Sequence, residues 1–348
     1  MTRFAICWMT LSVAICACDV DDAPTTSTTA QPGMRMQGTT LQGMTLDGTA
    51  LDGTALQDMT MLGFRVDGAT IAGAALHNVR VERGELVAER GSTTLRGTAL
   101  AGTHLFALVR NIAVAPPTSA AVEYRITAIA PEASENDPTH TGHTFLYTLE
   151  RRIGDTQSWK LGCPTDGDNS NVAIPLPAIW DEHGDRSVSS SLFTFGCTTG
   201  VIAKCYRWGY RPWVTGFGDL TSVHQTCTRL ARADYCGVGR PHTRAGTSIN
   251  VWDNLPSPGP IQAHNGPLGL PVPPPGMLFE AGWNTDGAVC LSHSRWILQD
   301  GLGIAALCPD RLVPPGLLGE TVCDTVSQVL GQDSGARMFN EAILIMIP

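Results

Sequence analysis

The sequence predicts a mainly β chain with a few helices, in which a short square-coil solenoid leads into a disulfide-bonded β-rich domain. Three observations carry this reading. Eight of the eleven cysteines lie between Cys163 and Cys323, and the other three precede residue 19. A five-residue period runs without insertion through residues 39–83. Alternating apolar segments typical of strands follow after residue 106. An even set of cysteines in one region, behind an export signal, reads as a disulfide framework that forms in an oxidising compartment.

The N-terminus supplies that signal. Arg3 is the only early positive charge, and an apolar run from Phe4 to Ala17 follows. The run fits a signal-peptide core and falls short of the roughly 20 residues that span a membrane. It ends in Ile15-Cys16-Ala17-Cys18, and Asp19, Asp21 and Asp22 come next. These residues resemble a bacterial lipobox, with an aliphatic residue at −3, a small one at −1 and the modified cysteine at +1. The resemblance implies a signal peptide over residues 1–18 with its lipobox, lipidation of Cys18, and a membrane partner reached through that lipid. Residues 19–35 hold few large apolar groups and read as a flexible tether.

The repeat reads in fives from TTLQG at residue 39 to VRVER at residue 83, with Leu41, Leu46, Leu51, Leu56, Met61, Val66, Ile71, Leu76 and Val81 at the centres. It resumes at Leu95, Leu100 and Leu105. A period of five is neither 2.0 nor 3.6, so it fits no ordinary strand or helix. It suits a coil with one apolar side chain per side and a turn at each corner. Residues 36–106 resemble the pentapeptide-repeat family, which implies a right-handed quadrilateral β-helix. Met44, Met59 and Phe64 depart from that pattern, because the position two before each centre should be small.

The β-rich domain is expected over residues 107–348. Val122, Tyr124 and Ile126 alternate within residues 121–130, and Phe145, Tyr147 and Leu149 within residues 144–151, so both segments read as strands joined by a hairpin-like connection. Residues 192–195 are a third strand candidate. Helices are expected over residues 199–208 and 220–233, the second from Val223, Cys227 and Leu230 at i, i+4 and i+7. The Pro/Gly-rich residues 256–276 form an excursion from the surface. Residues 279–291 and an apolar C-terminal strand at residues 342–348 return to the sheet.

The densest unusual stretch contains AKCYRWGYRPW and then HQTCTRLARADYCGVGRPHTRAGTSINVWDNL. Ala233-Asp-Tyr-Cys236, the positions of Cys205 and Cys227, and the flanking tryptophans resemble the ADYC-domain family of exported proteins of myxobacterial type. Trp159-Lys-Leu-Gly-Cys163, Phe193-Thr-Phe-Gly-Cys197 and Glu280-Ala-Gly-Trp283 extend the resemblance over most of the chain. It implies an exported protein with a Gly/Thr/Leu repeat ahead of the domain, and little about mechanism.

Candidate chemistry is sparse. There is no CxxC, and the cysteine spacings match no zinc ribbon or finger. Cys163, Cys197, Cys205, Cys227, Cys236, Cys290, Cys308 and Cys323 are therefore disulfide candidates, with about a hundred pairings open to them. His140 and His143 lack an obvious third ligand, so neither a metal nor a cofactor is expected. His224, His242, Asp234, Asp253 and Asp286 are available to a hydrolase, but no GxSxG or HExxH occurs. A structural role is the simpler account of Asp234. Trp208, Trp213, Tyr235 and Trp252 would stack on sugars if their faces were exposed, and otherwise form a core wedge beside the disulfides.

A formal charge of −9 opposes nucleic-acid binding and anionic membranes. The expectation is an exported, membrane-anchored lipoprotein facing the periplasm or the cell exterior. It has a non-catalytic structural or binding role, and a glycan or another envelope protein is its partner. The alternative is an extracellular hydrolase acting on a polysaccharide or peptide.

Overall fold

The computed structural model describes residues 35–36, 59–111, 118–132, 144–152, 158–165, 170–214, 216, 218–243, 247–255, 276–295, 304, 308 and 323–343. Six of its strands close into an antiparallel barrel: β1 (Met59–Arg65), β2 (Thr103–Asn111), β3 (Thr118–Pro131), β4 (Phe145–Arg152), β5 (Val172–Leu176) and β6 (Leu192–Cys197). Neighbours pair in chain order, and β6 closes on β1 at Phe193↔Phe64. The expected strands at 121–130, 144–151 and 192–195 are β3, β4 and β6. Val122, Tyr124 and Ile126 point inward, and a register shift between Thr148 and Leu149 on β4 resets the alternation so that Ile129 also faces in.

Aromatic rings fill the barrel. Phe64 meets Tyr124 edge-on at 4.8 Å and Phe195 at 5.0 Å, and Tyr147 lies 5.3 Å from Phe195. A three-stranded antiparallel meander (His77–Glu82, Glu85–Arg90, Thr93–Arg96) packs Leu86 and Ala88 onto this core. The Leu86 amide donates to the Tyr147 hydroxyl at 2.9 Å. The meander turns at Arg83-Gly84, both with positive φ. A Cβ at Gly84 would overlap the Tyr206 hydroxyl, so the turn abuts the helical layer.

The expected β-helix does not form over residues 59–106. Met59–Arg65 is a barrel strand paired antiparallel on both sides, and residues 77–96 reverse direction twice. Phe64, too large for the inner corner of a square coil, is instead fully buried at the barrel centre. Residues 37–58, with Leu41, Leu46, Leu51 and Leu56, lie outside the described residues.

Two helices follow, α1 (Val201–Arg207) and α2 (Leu220–Arg232), close to the expected bounds. Asp219 caps α2 by accepting from the Thr221 amide at 2.9 Å. Eleven of its thirteen residues are buried, because the helix runs between α1 and a second sheet. That sheet orders β7 (Thr247–Asp253), β10 (Met338–Ile343), β8 (Met277–Asn284) and β9 (Gly287–Leu291), all antiparallel, with residues 35–36 pairing at the β7 edge. One face carries Ile249, Val251, Ala281, Trp283 and Met338 into the core shared with α2. The other packs Trp252, Phe279 and Phe339 against α3 (Val326–Gln332). The C-terminal strand begins earlier than residue 342, and residues 344–348 lie outside the described residues, as do residues 256–275 and both His140 and His143.

Phe64→Ala should remove the ring shared by three aromatic neighbours and cost about 3–5 kcal/mol, read from urea denaturation. Leu161→Ala, at a side chain 46% exposed, should shift the midpoint little in the same assay.

Candidate functional site

The segment after α2 is built residue by residue around the end of that helix. Ala233 adopts the left-handed conformation (φ 52, ψ 43). Its amide donates to Leu230 O at 3.0 Å and the Asp234 amide to Arg229 O at 2.9 Å, a Schellman closure with alanine where glycine is usual. The Asp234 carboxylate is 1% exposed and accepts from Arg229 Nη1 (2.6 Å) and from the amides of Val238 (3.1 Å) and Gly239 (2.9 Å). It folds residues 234–239 into a tight loop and neutralises a buried arginine. A Cβ at Gly237 would overlap the Asp286 carbonyl, and one at Gly239 the Glu182 carbonyl. Both glycines also have positive φ.

Tyr235 is fully buried, stacked on Trp283 at 5.3 Å. Its hydroxyl donates to Glu280 Oε1 (3.0 Å) and accepts from the Arg295 amide (3.1 Å). Burial, and then the Glu280 carboxylate, push that hydroxyl well above its ordinary pKa. Glu280 also accepts from Arg295 Nε (2.8 Å) and Asn340 Nδ2 (2.8 Å), while Asn340 accepts from Trp283 Nε1 (2.7 Å). Arg295 sends its remaining nitrogens to Leu230 O (2.6 Å) and Ala231 O (3.2 Å) at the end of α2. The His242 amide takes Arg232 O at 3.0 Å. Cys236 completes the motif by bonding Cys308.

A family model described as the ADYC domain matches residues 97–297, more than half of the chain. The chain belongs to the ADYC-domain family. Searches of curated proteins and of solved structures find no significant match. In this ADYC domain the alanine is the helix stop, the aspartate the loop staple, the tyrosine the anchor on Glu280 and the cysteine a covalent tie.

All eight disulfide candidates are paired: Cys163–Cys197, Cys205–Cys227, Cys236–Cys308 and Cys290–Cys323, with Cα–Cα distances of 5.3–5.8 Å. Four disulfides suggest an oxidising environment, extracellular or periplasmic. Among the described residues no helix is long and apolar enough to cross a membrane, and no group of three potential ligands is placed to hold a metal.

The other sequence candidates are drawn inward. Tyr235, Trp252 and Trp208 are 0%, 3% and 7% exposed, so the faces expected to stack on sugars are occupied by packing. Trp213 is half-buried against Tyr206, with ring centroids 5.0 Å apart. Asp253 accepts from the Tyr210 hydroxyl at 2.8 Å. His224 is fully buried, donates Nε2–H to Ile202 O at 3.1 Å and leans on Trp180. Burial, aided by the Arg186 charge, lowers its pKa to about 4. None of these is aimed at a shared reacting centre.

Two surface features were not legible in the sequence. A cleft of about 790 Å³ opens beside Asp67, Leu76, His77, Asn78, Arg80 and Ser190. Its polar walls are partly satisfied within the chain, Arg80 by Glu82 (2.6 Å) and Asn78 by Glu89 (2.7 Å). On the barrel's outer wall Trp159 lies across Arg125 (4.4 Å) and Arg152 (4.8 Å), with His104 at its edge (5.7 Å). His104 Nδ1 donates to Glu123 at 2.6 Å, Arg152 also reaches Glu123, and Arg125 donates to Glu150 at 2.6 Å. Burial works to raise the Glu123 pKa, but hydrogen bonds from Arg152 and His104 outweigh it and hold the carboxyl below its usual range.

The His224 shift has a definite sign. Its folded pKa lies below the unfolded value of 6.5, so protonation favours unfolding. Its contribution is complete above about pH 6.5 and falls by about 3 kcal/mol as the pH drops to 4. Urea midpoints of wild type and His224→Gln between pH 7.5 and 4.5 should diverge accordingly, the variant losing less; parallel curves would refute the assignment. Asp234→Ala removes the buried carboxylate from Arg229, leaving it the exposed Asp185 carboxylate and the Thr285 and His183 carbonyls, and should cost about 1.5–3 kcal/mol in the same measurement.

Proposed function

We propose that the chain is an exported cell-envelope lipoprotein, anchored through Cys18, whose ADYC domain has a structural or binding role without catalysis. One observation carries the reading: the ionisable groups available for chemistry in the family motif (Asp234, Glu280 and Arg295) are each held in a network that closes a helix end. A hydrolase needs a nucleophile and a base converging on an open pocket, and His224, Asp234 and Asp253 are engaged elsewhere. The reading of residues 15–18 as a lipobox supports the anchor. Residues 19–34 serve as its tether, ahead of the point where Arg35–Met36 pairs with the β7 edge. The partner is a glycan or another envelope protein, bound at the domain surface.

The test is intact mass of the full-length chain expressed in a lipoprotein-processing bacterial host and recovered from its membranes. The mature protein should lack residues 1–17, carry a diacylglyceryl group on Cys18, and gain about 8 Da when its four disulfides are reduced. Cys18→Ser should abolish the lipid and release the protein from membranes. Wild-type protein without lipid would overturn the anchor, and an unchanged mass on reduction would overturn the exported address.

A further inference from the structure

We propose that the outer barrel wall around Trp159 is a platform that binds a neutral oligosaccharide. The proposal deepens the binding role above and rests on it. Strand register builds the platform. Lys160–Leu161 pairs with β4 at Arg151↔Lys160 and Glu150↔Leu161, so one residue further Trp159 falls beside Arg152. On the same wall Glu150 faces Arg125, and Arg125 faces His104. The indole therefore reaches diagonally over both guanidinium groups to the edge of His104, laid along the wall rather than inserted into the core.

The ring is held firmly. Lys160 and Leu161 are paired to β4, the Gly162 amide donates to Leu149 O at 2.7 Å, and Cys163 is bonded to Cys197 on β6. A Cβ at Gly162 would come within 2.7 Å of the Leu149 Cβ, so the segment lies flush on the barrel. Four consecutive attachments thus follow an aromatic that remains partly exposed. Preorganisation of this kind lowers the ordering cost of binding.

The ring does not complete the ion pairs beneath it. Arg125 is already matched by Glu150, and Arg152 and His104 by Glu123. What the indole adds is a broad π face bordered by hydrogen-bonding side chains. The negative face of an aromatic ring attracts the weakly positive C–H groups of a pyranose. Arg125 and His104, the most exposed of these side chains, border the indole and would meet the sugar's hydroxyls. The balance of two arginines against two glutamates favours an uncharged sugar over a phosphate or a uronate. Of the rings expected to stack on sugars, Tyr235, Trp208 and Trp252 are buried and Trp213 is half-buried against Tyr206; Trp159, not one of them, is half-buried on the barrel wall.

The experiment titrates the full disulfide-bonded chain with chitotetraose, cellotetraose and maltotetraose, read by tryptophan fluorescence and calorimetry. At least one should saturate below about 10 mM, and Trp159→Ala should weaken it by about tenfold or more, roughly 1.4 kcal/mol. Trp213→Ala should stay within about twofold. Mass under oxidising conditions and the melting temperature verify that each variant is folded. If Trp159→Ala does not fold, the Trp159 indole N–H resonance, assigned through Trp159→Phe, must shift on titration of wild type. No saturation by any of the three sugars, binding that survives Trp159→Ala, or an unmoved indole resonance overturns the platform. Those outcomes leave the envelope anchor standing, since its test reads lipid and disulfides rather than sugar.

Discussion

The fold depends on a helix that ends inside the protein. The last carbonyls of a helix lack intrahelical donors, and at a surface water supplies them. Here α2 ends among buried groups, so donors must come from the chain. Arg229 O takes the Asp234 amide, Leu230 O takes Ala233 and Arg295, Ala231 O takes Arg295, and Arg232 O takes the His242 amide. Using an arginine for two of these buries a full charge, which is stable only if it is paired and its partner is satisfied. Glu280 is that partner, and Tyr235 and Asn340 complete its hydrogen bonds. Each step creates the need that the next residue meets, and in this way one helix terminus specifies side chains on the motif loop, β8, β10 and the segment holding Arg295.

One cross-link fastens the barrel and three tie the half that follows it. The barrel is closed by its own hydrogen bonds and carries one disulfide, Cys163–Cys197, which fastens a short edge segment to β6. The other three join α1 to α2, the motif loop to Cys308, and β9 to Cys323. These last connections close loops in a region rich in proline and glycine, where each bond is worth about 2–4 kcal/mol by restricting the unfolded chain. The reliance on oxidation is therefore a property of the second half of the domain.

Much of this was legible in the sequence, and the misreading has a clear cause. Alternation located β3 and β4, and helical periodicity located α2, because these signals are local. The five-residue period marked positive-φ glycines at Gly63, Gly68 and Gly73, but Gly63 is a bulge within β1, whereas Gly68 and Gly73 lie where the chain bends or turns. It did not say which way the chain turns there. With Ala72 and Gly73 both in left-handed conformations the chain folds straight back, pairing Thr70–Ile71 with Ala74–Ala75 antiparallel. A square coil would need a quarter-turn at the same place. Phe64 was the informative departure, since a ring that no inner corner can hold is what a barrel centre requires. The tryptophan-rich stretch resolved into core, as the wedge reading allowed. The Glu280–Arg295 pair and the Trp159 wall escaped notice because each joins segments that only the sheet register brings together.

The same dependence fixes how much chain the domain needs. The family match covers residues 97–297. Its barrel lacks a wall without β1, because β6 and β2 each pair with that strand and not with one another. Its signature cysteine bonds Cys308, and its signature tyrosine shares Glu280 with Asn340 on β10. Both ends therefore lie beyond the matched range: the barrel and second sheet need at least Met59 to Ile343, and residues 35–36 add a further pair at the β7 edge. The repeat-like fives just before the match are in part the first wall of the barrel, which is why their pattern drifts from the regular TALDG toward larger side chains such as Phe64. What reads as an appended repeat is, from residue 59 onward, the domain's own first strand and the meander that covers it.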